Sequence, residues 1–276
     1  MSLNKSDYEE PACPFSRPEH SFSHEKLPET IRRIPLAQII DECDCFFNSN
    51  QMQEVGKHLR YWLEQARKLH DHESELSLLS ELMGHYRMNN DPERGLAAVY
   101  DGFDLMKKLN MFHTASAGTI LINGATALQA FGRVDEALQY YAEAFRCYGS
   151  SLPPDDWRFA GLLNNMASAY SEKNEFKHAE VYYRKALDVL AKCGNFMDRA
   201  VTHVNLAQLY HRQDPADERI DRELDLAMKI FDDPAAVRDG YYAHTCLKCL
   251  SAFSFLGRFA DEEELKERAE KIYERA

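Results

Sequence analysis

The segment LLNNMASAYSEKNEFKHAEVYYRKALDVL, residues 162–190, decides the fold. Apolar residues recur at helical spacing on both sides of a polar break, so the segment is two helices joined by a short turn. Ala167 on the first helix and Ala186 on the second stand nineteen positions apart. Small residues at such positions let paired helices approach closely. Working outward, LINGATALQAFGRVDEALQYYAEAFRCY (121–148) repeats the arrangement with Ala125 and Ala144, and Ala207/Ala227 gives a third pair one residue longer. Self-similarity at this period marks stacked helical hairpins and excludes most compact enzyme folds.

Six copies can be set in register. The first small position runs Cys43, Met83, Ala125, Ala167, Ala207 and Leu250, in steps of 40, 42, 42, 40 and 43. Its partner runs Trp62, Gly102, Ala144, Ala186, Ala227 and Ala269. Three residues beyond the first position stands an aromatic (Phe46, Tyr86, Tyr170, Tyr210, Phe253), except at Leu128. Asn50, Asn90, Gly132, Asn174, Asp214 and Gly257 fall between the paired helices, where left-handed backbone favours Gly, Asn or Asp. NNDPERG (89–95), GSSLPPDDW (149–157) and DDPAAVRDG (232–240) punctuate the hairpin boundaries.

On these residues the chain resembles the tetratricopeptide repeat family over about 240 residues. The family's usual period is about 34 residues, so each hairpin here is lengthened. Such long repeats are similar to those of kinesin light chains and bacterial peptide sensors. The resemblance implies an all-α, right-handed superhelical solenoid of about six hairpins spanning residues 31–276. It also implies a bacterial adaptor or sensor that binds protein or peptide without catalysis. Trp62 in the first copy, an insertion near Pro215 in the fifth and the charged DEEELKERAEK helix in the last depart from the pattern. Terminal repeats are expected to be atypical, because their outer faces meet water. Residues 1–30, with four scattered prolines and no helical period, read as an extended arm long enough to lie in the groove.

Composition narrows the function classes. Hydrophobic content of 45% suffices for a core and excludes global disorder. A net charge of −12 with no basic stripe argues against nucleic acid. No stretch is apolar enough to span a bilayer, so no membrane is expected and the cytoplasm is the default compartment. The seven cysteines read as reduced thiols, several on apolar helix faces. There is no G-x-G-x-x-G, P-loop, H-E-x-x-H or G-x-S-x-G on which to build a catalytic mechanism, and no cofactor is expected.

In this family the first helix of each hairpin lines the concave surface. Two positions before the first small residue stand Asp41, Glu81, Asn123, Asn165, Asn205 and Lys248. Asn offers donors and an acceptor, matching the N–H and C=O of an extended peptide. The resemblance implies that Asn123, Asn165 and Asn205 clamp a peptide backbone; the alternative is that they cap turns or bond neighbouring helices. Asn164 and Gln208, with Ser77, Ser80, Thr119, Thr126, Ser168 and Ser251, extend this polar surface. Asp41, Asp44 and Glu81 stand at one end, and Arg212, Lys248, His211 and His244 at the other, where Arg212 and Lys248 would receive a ligand carboxylate. Charges on a helix face are equally read as solvated.

Two further readings compete. One is a self-association module in which the convex face or the terminal hairpin forms a homodimer. The other is a metal- or redox-regulated protein centred on Cys246 and Cys249, three apart on one helix face, with Cys13 on the arm as a third thiolate. Against it, His244 points elsewhere, and the two thiols are readily read as packed in the last hairpin's core. His70, Asp71, His72 and Glu73 are adjacent, cannot converge from one face, and read as a helix end in solvent.

Overall fold

The computed structural model describes residues 33–48 and 51–274. The arm at 1–30, Cys13 and the turn residue Asn50 lie outside the described residues. Among the described residues there are twelve helices and no strand, paired as six hairpins. The chain forms two compact units that divide between Leu152 and Pro153.

The first unit carries α1 (Leu36–Asn48), α2 (Met52–Leu69), α3 (His72–Met88), α4 (Pro92–Lys108), α5 (Ala115–Ala130) and α6 (Val134–Ser151). The second carries α7 (Arg158–Glu172), α8 (Phe176–Cys193), α9 (Phe196–Gln213), α10 (Arg219–Asp232), α11 (Gly240–Phe255) and α12 (Phe259–Tyr273). Each odd-numbered helix packs against its successor. The small-residue register is the reason. Ala125, Ala144, Ala167, Ala186, Ala207, Ala227 and Ala269 are all fully buried, so neighbouring helices meet with almost no side chain between them. The α3–α4 hairpin reaches the same closeness unequally. Met83 fills the gap from α3, and a Cβ on Gly102 of α4 would lie 2.7 Å from the Met83 Cε. A large residue on one helix requires glycine on the other.

Helix starts follow the punctuation. Asp71, Asp91, Thr114, Asn195 and Asp239 each accept a backbone N–H of the following first turn, satisfying donors that a helix start leaves open. Asn90, Asn174, Gly132 and Gly257 adopt the expected left-handed backbone. Asp214 does not; its φ is −154°. It precedes Pro215, whose ring pushes the preceding residue into extended geometry, and the lengthened turn has no need of a left-handed closure.

Two other expectations need correction. Of the HDHE stretch only His70 ends a helix with left-handed φ, at 55°. Asp71 is buried, not solvated. It accepts the Ser74 N–H at 3.4 Å and the Ile34 N–H at 3.1 Å, fastening the chain before α1 to the α2–α3 turn. The cysteines are not uniformly reduced. Cys43, Cys147, Cys193, Cys246 and Cys249 are free thiols, whereas Cys45 is disulfide-bonded.

Inside the second unit a polar network ties α8, α9 and α10. Glu223 is 2% exposed. Its carboxylate accepts from Arg184 Nη2 at 2.8 Å and lies 2.6 Å from His203 Nδ1. Tyr210 accepts from Arg184 at 2.9 Å and donates to Glu180 at 2.6 Å, while the Arg219 guanidinium covers its ring at 3.9 Å. This network backs α9 from the side opposite its cavity-lining residues.

Candidate binding cavity

The second unit holds a cavity of about 730 Å³ between α7, α9 and α11. The first helix of a hairpin contributes one stripe of residues, four apart or seven apart, to such a surface. From α7 come Asn164, Asn165 and Ser168; from α9 come Asn205, Gln208 and Arg212; from α11 comes Lys248. Six of the seven residues singled out from sequence therefore line one volume. Asn123 is not among them. It belongs to the first unit, where its Nδ2 donates to Ser80 Oγ at 2.8 Å and bonds α5 to α3. Thr119 and Thr126 bond backbone carbonyls one turn back on α5.

The two asparagines of α7 differ. Asn164 Nδ2 donates to Ala160 O at 3.1 Å and Thr202 Oγ1 at 3.0 Å, tying α7 to α9. Its Oδ1 is buried without a hydrogen-bond partner among the described residues. Thr202 passes its own proton to Asp198 O at 2.7 Å, so it receives from Asn164, and the amide orientation follows. Asn165 and Asn205 are half-buried on the cavity wall.

Both signs of charge occur in the wall. Arg212 donates to Ser171 Oγ at 3.0 Å and Asn174 Oδ1 at 3.4 Å, which aims its guanidinium along the floor. Lys248 is exposed beside it on α11. Glu172 and Asp198 also line the cavity, so it is not the purely basic end that the sequence suggests. His211 instead packs edge-on against Phe255, with centroids 5.0 Å apart, and His244 is exposed outside the cavity lining. Burial holds the Tyr183 hydroxyl protonated well above its ordinary range. Burial and the Asp198 acceptor do the same for Tyr241, keeping it a donor.

Among the wall residues that sequence reading missed are Trp157, Asp198, Tyr241 and Phe255. Asp198 and Tyr241 occupy one register position, nine residues before Ala207 and Leu250, and that equivalence was the available signal. Trp157 lies just before α7, inside a cluster whose prolines and acids read only as a turn.

Cys246 and Cys249 lie in the core of the last hairpins. Burial pushes their thiols up to about 11 and about 12, away from the thiolate that metal binding and redox chemistry need. Among the described residues no three His, Cys, Asp or Glu side chains gather as metal ligands.

Paired helices in a repeated register, with a polar cavity on the first helices, define a helical-repeat solenoid of the kind that presents a concave binding surface. The repeat model described as "Tetratricopeptide repeat" matches residues 118–157 and 159–192, the α5–α6 and α7–α8 hairpins. The fold is shared with TPR-like repeats from a Podosopora anserina protein designated a kinesin light chain (18% identity, 71% of this chain and 94% of that one, TM-score 0.61). It is shared also with BtubC (BKLC) from P. vanneervenii (19% identity, 80% and 91%, TM-score 0.57). The apo form of RapI aligns over 91% of this chain and 86% of its own, with 12% identity and a TM-score of 0.62. Likeness at such identities is a likeness of fold. No curated protein matches the chain by sequence.

Proposed function

We propose that the protein is a non-catalytic scaffold that holds an extended peptide or partner segment in the α7–α9–α11 cavity. The observation that carries this reading is the convergence of Asn164, Asn165, Asn205, Gln208, Arg212 and Lys248 on one cavity of about 730 Å³. Asn165 and Asn205 are half-buried at equivalent positions of successive repeats. Each can donate to one peptide carbonyl and accept from one peptide N–H. A backbone clamp of this kind binds with little regard to side chains and leaves selectivity to the flanking pockets. Arg212 and Lys248 favour an acidic group at their end. Asn123 lies outside this cavity, and its amide bonds Ser80.

The test is an Asn165→Ala/Asn205→Ala double variant, assayed for binding to a displayed library of random peptides, with circular dichroism as the folding control. Loss of the enriched binders with unchanged helicity supports the clamp. Full retention of their affinity overturns it.

A second reading, homodimerisation through the terminal hairpin, is favoured by Leu247, Phe259 and Tyr273, which are 42%, 65% and 49% exposed. Residues equivalent to Tyr273 in the preceding hairpins, Phe231, Leu190, Tyr148 and Met106, are all buried. Light scattering across a concentration series distinguishes the two readings, since a monomer at every concentration removes the second.

A further inference from the structure

One end of the cavity differs chemically from the rest. Trp157 and Tyr241 are large aromatics left 57% and 49% exposed. With Asp198 they line both the main cavity and a smaller adjoining one reaching Cys193 and Asn195. Asp198 and Tyr241 lie in the first turns of α9 and α11, while Arg212 lies fourteen residues along α9, about 21 Å away at the helical rise. The cavity thus has an aromatic end carrying Asp198 and a far end where Arg212 and Lys248 stand with Glu172.

The aromatic end has unused acceptor capacity. Asp198 Oδ1 accepts from the Tyr241 hydroxyl at 2.6 Å, and Oδ2 accepts from Asn195 Nδ2 at 2.7 Å. Each oxygen keeps a further lone pair. Asn164 Nδ2 donates to Thr202 Oγ1, which bonds the Asp198 backbone carbonyl, so the first turns of α9 are tied to α7 behind the site. The first-turn N–H groups that give a helix start its positive end are met here by Asn195 and Asp239. Arg158, just after Trp157, is bonded to Asp156.

We propose that Trp157, Asp198 and Tyr241 form a subsite for a basic side chain of the bound peptide, arginine in preference to lysine. A guanidinium stacks flat on an indole or phenol ring and directs several donors outward from one plane. Those donors match the free lone pairs of Asp198. An ammonium carries the same charge without the plane. The subsite rests on the peptide-cavity reading, but its chemistry can be probed without a peptide.

Tryptophan fluorescence of the full chain is titrated with Nα-acetyl-argininamide and with its neutral isostere Nα-acetyl-citrullinamide. The arginine compound should give a saturable change at least about fivefold tighter than the citrulline compound, as a desolvated charge-assisted contact requires. Trp157→Phe should abolish the optical response, and Asp198→Asn should erase the difference between the two compounds. Equal responses to both, no response to either, or a preference that survives Asp198→Asn overturns the subsite. The Asn165→Ala/Asn205→Ala variant should keep the arginine response while losing library peptides, so failure of the clamp and failure of the subsite are read separately.

Discussion

Replacing Glu223 with alanine should cost the fold about 3 kcal/mol, the low end of the range for breaking a buried ion pair from one side. Glu223 is 2% exposed and serves two donors, Arg184 at 2.8 Å and His203 at 2.6 Å. The two do not suffer equally when it is removed. The Arg184 side chain is 44% exposed and can turn to water while keeping Tyr210. The His203 side chain is 10% exposed and has no such escape. The cost therefore comes mainly from a stranded imidazole, and it is smaller than for two fully buried partners. The pH dependence has a definite sign. Burial would raise the Glu223 carboxyl, but the His203 hydrogen bond and the Arg184 charge outweigh it and hold the carboxyl below its ordinary value. Its stabilisation is thus complete above the ordinary glutamate range and is lost as pH falls through the depressed folded value. Urea unfolding followed by circular dichroism at pH 7 and again near pH 3 measures both effects. Asp221→Ala serves as a control, because Asp221 makes only an exposed contact with Arg258. A difference below about 1 kcal/mol at pH 7, or one that grows on acidification, would refute the assignment of Glu223 as the hub of that network.

Ala186→Leu forces a large side chain between α7 and α8, where Ala167 and Ala186 are both fully buried, and should destabilise by about 1–3 kcal/mol or more; calorimetry checks it. Asn195→Ala removes the cap of α9, which accepts the Asp198 N–H at 3.1 Å, and should lower stability by about 1 kcal/mol in the same assay. Iodoacetamide at pH 8 should alkylate exposed Cys193 well before Cys246 and Cys249, whose thiols burial holds up at about 11 and about 12; mass spectrometry of the peptides reads the order.

Most of the architecture was legible because close helix packing is a demand that sequence cannot disguise. Ala pairs or a compensating Met/Gly pair fill those positions in the inner hairpins, with Cys43, Trp62 and Leu250 confined to the terminal ones, so the register was visible from Ala125/Ala144 and Ala167/Ala186. The turn at Asp214 was misread because the rule for left-handed residues was applied without its neighbour Pro215. Asn123 shows the limit of register as a guide to surroundings. It stands in the same register as Asn165 and Asn205, yet Ser80 takes its amide, and the register says nothing about which neighbour is within reach. The aromatic end of the cavity was hidden for a different reason. Trp157 precedes its helix and Tyr241 begins its own, and residues at helix entrances fall outside any small-residue pattern.

The bonds that join α7, α9 and α11 through Asn164, Thr202, Asp198 and Tyr241 have a mechanical meaning. Stacked hairpins behave as coils of a spring, each answering only to its neighbours, and these contacts are stitches between successive coils. Anything that competes for the Asp198 oxygen held by Tyr241 loosens one stitch, while anything that spans Asn165 and Asn205 tightens the coil beside it. On the proposed occupancy of the cavity, filling it would therefore be coupled to the pitch of the α7–α12 stack.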